Sequence, residues 1–160
     1  MANPTNAHAL PQHLGPPTRT PPAPPLCGDA RLHAFAHHSF PNNAPLPLGA
    51  SESDPYGDHH RLAQLGGRML AAAYAQACMA TVRGVDLQAH IDATLPAFVD
   101  RWVSAYGWRH QVYGAPGGTD LGAPYETQKI FEAYAGAVVA QPTLGPPALF
   151  AWIQLLVNTP

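Results

Sequence analysis

The sequence predicts an all-α fold, and three observations carry that expectation. A proline-free run from His59 to Val82 places Leu62, Leu65, Met69, Ala73 and Ala77 three and four residues apart, the spacing of one helix face. Three later stretches repeat that spacing. No segment alternates apolar and polar residues as a half-buried strand does. The chain has 160 residues, room for one domain of ordinary size. Charged residues make up 11%, less than half of the roughly 25% usual in soluble chains, so burial and helix packing must organise the fold. The formal net charge of -2 offers no positive excess to hold a polyphosphate, which argues against an autonomous, sequence-blind nucleic-acid binder.

Residues 1–28 carry Pro16-Pro17, Pro21-Pro22 and Pro24-Pro25, which favour extended polyproline backbone. They are expected to form a tail or linker, with the folded domain spanning 29–160. Leu32, Phe35 and Ala36 then mark a short helix, and residues 41–58, rich in Pro, Gly, Ser and Asp, a loop. The long helix over 59–82 contains Gly66-Gly67. Two glycines cost about 2 kcal/mol against alanine in a helix interior, so another backbone is expected to approach closely there. Ile91, Leu95, Phe98, Val99, Trp102, Val103 and Tyr106 form the next stripe. Pro96 is expected at the first position of that helix, with Thr94 as its cap and Gly107 as its end. After a glycine-rich loop over 114–124, helices are expected over 125–141 and 147–158, the last apolar enough to be a packed terminal element.

Cys27 and Cys78 are far apart and lack Cys-x-x-Cys or Cys/His ligand spacing, which predicts neither a disulfide scaffold nor a zinc site. A reducing, intracellular setting is expected, in the nucleus, cytoplasm or mitochondrion. No apolar stretch approaches the roughly 20 residues that cross a bilayer, so no membrane partner is expected. His37-His38 and His59-His60 are the residue type for a transition-metal site. Neighbours on a helix point about 100° apart, however, so each pair offers a single ligand to a common centre, and no metal site is predicted. Ser39 has histidines beside it but no glycine elbow to make it a nucleophile.

Three segments, in order, resemble the ribonuclease III domain. Ala34-Phe35-Ala36-His37-His38-Ser39 is similar to the opening A-[LF]-T-H-x-S. The run from His60 to Leu70 is similar to the signature E-R-L-E-F-L-G-D-x-x-L, and Phe131 to Ala137 to the helix F-E-A-[LY]-[IL]-G-A. The resemblance covers residues 31 to about 157 and implies an all-helical domain that pairs two-fold, as a homodimer or heterodimer, and meets double-stranded RNA. The family's enzymes hold Mg²⁺ with clustered carboxylates. Carried over one by one, those acids fall on His60, Ala63, Gly67, Lys129 and Glu132, of which only Glu132 is a carboxylate. Mg²⁺ takes hard oxygen ligands, so one carboxylate a helical turn from a lysine is a poor magnesium site.

The expected function is therefore a catalytically silent, structural or RNA-associated member in RNA processing, with Glu132 vestigial and no cofactor. The alternatives are an active, divergent Mg²⁺-dependent double-stranded-RNA endoribonuclease, its missing acids coming from the 41–58 loop or a partner chain, and a helical protein-interaction module. Arg61 and Arg68, seven residues apart on one helix face, are the candidates for weak phosphate contacts.

Overall fold

The computed structural model describes residues 20–40, 56, 58–79, 81–83 and 86–160. The tail's first 19 residues, and Glu52 and Asp54 of the loop, lie outside them. Five helices follow in order: α1 (Gly28–Phe35), α2 (His59–Met79), α3 (Leu87–Ala105), α4 (Pro124–Ala140) and α5 (Gly145–Val157), with a 3-10 turn at Trp108–Gln111. The all-α expectation holds: the described residues contain no strand, only one isolated bridge between Ala36 and Tyr113. No helix among them is long and apolar enough to cross a membrane.

Helix α4 is the axis of the fold. Every residue from Ile130 to Val138 is buried, the signature of a helix wrapped on all sides. Alanines 133, 135 and 137 and Gly136 let its neighbours close in. At the α2–α4 crossing a Cβ on Gly66 would overlap the carbonyl oxygen of Glu132, and a Cβ on Gly136 would overlap the carbonyl oxygen of Leu62. The glycine that weakens α2 as an isolated helix thus permits backbone-to-backbone contact. Phe131 fills the centre of an aromatic core, stacked on Trp152 at 5.4 Å between ring centroids and tilted against Trp108 at 5.6 Å.

Two expectations change. Helix α3 begins nine residues before Pro96, because Asp86 caps it: its carboxylate accepts hydrogen bonds from the backbone N–H groups of Gln88 (2.9 Å) and Ala89 (3.3 Å). Thr94 is no cap; its hydroxyl donates to the His90 carbonyl at 2.8 Å and accepts from the Tyr74 hydroxyl at 3.0 Å. Pro96 lies inside the helix on its exposed side, where the carbonyl it leaves unpaired can be met by water, while Ile91, Val99, Trp102 and Val103 hold both halves to the core. Gly107, at φ 64°, ends the helix as expected. Replacing Asp86 by alanine is expected to cost about 1 kcal/mol in a urea titration. An unchanged midpoint would mean that α3 starts elsewhere.

The second change concerns the proline-rich leader. Residues 20–27 are extended but packed onto the domain. The Tyr106 hydroxyl donates to the Pro21 carbonyl at 2.7 Å and the Tyr134 hydroxyl to the Pro24 carbonyl at 2.7 Å; the Gln141 side chain bonds both the Pro25 carbonyl and the Cys27 N–H. Polyproline backbone makes no internal hydrogen bonds, so its carbonyls are free to accept from the domain. Burial pushes the Tyr134 hydroxyl up to about 12, which keeps it a donor.

Candidate functional sites

The sequence-derived positions converge at the α2–α4 crossing. Ala63, Gly67, Arg68, Lys129 and Glu132, with Gln64, line one open depression of about 370 Å³. Glu132 is buried and both its oxygens are engaged: Lys129 Nζ lies 2.7 Å from Oε2, and the Gln128 amide donates to Oε1 at 2.8 Å. Gly67 leaves room for that carboxylate, since a Cβ there would stand 3.0 Å from Oε1. His60 is exposed and outside the depression, its ring 2.8 Å from the Gln64 amide. Arg61 and Arg68 are exposed on α2.

The donor set of this depression does not fit Mg²⁺. A hexacoordinate hard cation needs several free oxygens, and here one carboxylate is neutralised by an ammonium group. Asp58 does not join it; its carboxylate accepts from the Arg61 N–H at 2.8 Å and so caps α2. Glu126 is directed elsewhere. On the other side of Glu132 and Gly67 a larger cleft of about 580 Å³ runs between α2, α3 and α4, walled by Leu70, Leu95, Val99 and Tyr125.

A second cluster lies where the turn after α1 meets the first turn of α4. The Ala36–Tyr113 bridge fixes that turn, with the His37 N–H donating to the Tyr113 carbonyl at 2.8 Å and the Tyr113 N–H to the Phe35 carbonyl at 3.0 Å. Arg109 secures the opposite wall: it bonds Asp100, Ser104, the Leu121 carbonyl and Thr127, and so holds the loop that delivers α4. Between them His37 Nε2 lies 3.1 Å from one oxygen of Glu126 and His38 Nε2 3.0 Å from the other. The Ser39 N–H donates to His37 Nδ1 at 3.2 Å, which places the imidazole proton on Nε2, facing Glu126.

This corrects the expectation that adjacent histidines diverge. Helix α1 ends at Phe35, so His37 and His38 are in a turn, where the 100° rule does not operate, and their rings lie 4.2 Å apart. Sequence reading missed Glu126 as their partner because the pairing spans nearly ninety residues. The position of His-His just beyond the helix end was the available signal. The Ser39 hydroxyl is 2.7 Å from His37 Nδ1, which gives Ser39, His37 and Glu126 the connectivity of a nucleophile, base and acid. It is instead a local turn bond: the hydroxyl and the N–H of Ser39 both engage a ring two residues away.

Next to this cluster His59 is 7% exposed, and neither ring nitrogen has a hydrogen-bond partner among the described residues. Its ring centroid is 6.4 Å from that of His38. An unsatisfied buried polar group costs about 1–3 kcal/mol. Burial first, then the neighbouring His38, lower its pKa from 6.5 to about 4, with the nearby carbonyls of Ala34 and His33 pulling the other way. Compared with protein-family models, with curated proteins and with solved structures, the chain finds no match in any of the three.

Proposed function

We propose that this chain is a ribonuclease III-like helical domain without hydrolytic chemistry, acting as a structural or RNA-associated partner in RNA processing. Three features support the reading. The segments that resemble the family occur in the family's order. Two of them, on α2 and α4, cross at a pair of glycines, as signature helices that pack closely require. Their carried-over positions Ala63, Gly67, Lys129 and Glu132 share one depression.

The observation that carries the loss of catalysis is the Lys129–Glu132 pair at 2.7 Å. A cation stands at the position of a metal-binding acid and occupies the carboxylate that is left. Arg68 on the rim adds positive charge, which suits a phosphate contact better than metal-assisted attack on one. Pairing with a second copy or with an active relative through the helical domain is part of the proposal.

The test is incubation of a long RNA duplex with the purified chain and Mg²⁺ or Mn²⁺, beside an E132Q control, with retention on the same duplex read in parallel. Both proteins are expected to leave the duplex intact and to retain it weakly, the retention falling as salt rises. Metal-dependent cutting by the wild type that E132Q abolishes would overturn the proposal in favour of the active enzyme. No retention at any salt concentration would favour the protein-interaction module.

A further inference from the structure

We propose that His37, His38 and Glu126 form a binding site for a divalent transition-metal ion, Zn²⁺ by the chemistry of its donors. The site is separate from the α2–α4 depression and does not depend on the function proposed above. The ligand atoms of the three residues all lie within 4.8 Å of one another, and each His–Glu pair is already at 3.0–3.1 Å. The two histidines meet different oxygens of Glu126. Zn²⁺ with bonds of about 2.0–2.1 Å in a tetrahedron separates its ligands by roughly 3.3 Å, so closure on an ion draws ligand atoms now within 4.8 Å together by about 1.5 Å at most. Two imidazoles and one carboxylate select this class of metal over Mg²⁺ or Ca²⁺, which prefer all-oxygen sets.

The surroundings favour a held site over a chance contact. His37 is 5% exposed and Glu126 15%, and both walls are fixed, one by the Ala36–Tyr113 bridge and the other by α4. When Nε2 turns its lone pair to the metal, the imidazole proton moves to Nδ1. The Ser39 hydroxyl, at 2.7 Å, then accepts where before it could donate, so the orienting bond persists and only the 3.2 Å contact from the Ser39 N–H is given up. His59, buried beside His38, has no hydrogen-bond partner for either ring nitrogen among the described residues, with only the Ala34 and His33 carbonyls near it. His38 is the most exposed of the three ligands, and with three protein ligands the fourth position is left to water. The ion would clamp the turn after α1 onto the first turn of α4.

The experiment uses the full chain stripped of metal, titrated calorimetrically with ZnCl2 and by visible absorption with CoCl2 as a spectroscopic substitute. One ion per chain is expected, and at Zn²⁺ a hundredfold above Kd the Tm should rise by about 5–10 °C. H38A and E126Q should each weaken binding by more than the roughly 10–100-fold that loss of an outer partner costs, and should abolish the tetrahedral Co²⁺ spectrum. H110A, at an exposed histidine outside the cluster, should bind as the wild type does. Should E126Q fail to fold, H38A carries the test, because its side chain is at the edge. Equal affinity in the wild type and H38A, or no Tm shift with saturating Zn²⁺, would overturn the proposal.

Discussion

Replacing Gly66 by alanine is expected to destabilise the domain by about 3 kcal/mol or more, while the same change at Gly67 leaves it as stable or stabilises it slightly. Helix propensity alone predicts a gain of about 1 kcal/mol at each site, so the difference isolates tertiary contact. At Gly66 the new Cβ meets backbone: the carbonyl oxygen of Glu132 and, at 2.5 Å, the amide nitrogen of Gly136. Backbone in the middle of α4 cannot rotate away, so the helices must part, and the alanine-lined seam of Ala63, Ala133 and Ala137 parts with them. At Gly67 the nearest atom is the far end of the Glu132 side chain at 3.0 Å, which can shift by a few tenths of an ångström. Urea midpoints of the two variants, compared at equal slope, read the contrast directly. A G66A cost below about 1 kcal/mol would mean that α2 and α4 do not touch through their backbones.

The glycine pair shows what was legible in the chain. A local rule broken by Gly66-Gly67 pointed to a close approach, and the approach is there, made by α4. Helix stripes were legible for the same reason, since residues three and four apart report their own neighbourhood. Pro96 misled because its local preference for a helix start was outweighed by Asp86 at one end and by the buried face from Ile91 to Val103 across it. The packed leader at 20–27 was hidden by composition: prolines signal extended backbone but not the Tyr106, Tyr134 and Gln141 side chains that satisfy its carbonyls. Of the two candidate sites, the depression around Glu132 was readable as positions on two helices. The His37–His38–Glu126 cluster was not, because it needs the turn after α1 and the start of α4 to meet, which no local pattern encodes.

The metal-free domain is expected to lose about 3 kcal/mol of stability between pH 6.5 and pH 4 through His59, and H59L is expected to remove that loss. The sign follows from the direction of the shift. In the unfolded chain the imidazole takes up its proton near 6.5; in the folded domain it resists protonation until about 4. Between those values the unfolded state binds more protons, so stability rises with pH, is complete above about 6.5 and is lost as pH falls through the folded value. Two members of the second cluster contribute to the shift. Burial dominates, and the neighbouring His38 and then His37 add to it. Leucine at 59 keeps the volume, removes two buried nitrogens without a hydrogen-bond partner among the described residues and has nothing to titrate, so H59L should be at least as stable as the wild type at pH 7 and more stable at pH 4.5. Urea titrations in EDTA at pH 7.0, 5.5 and 4.5 separate this from the other histidines, which both proteins share. Parallel stability–pH curves for the two would show that His59 is solvated in the folded state, contrary to its burial against His38.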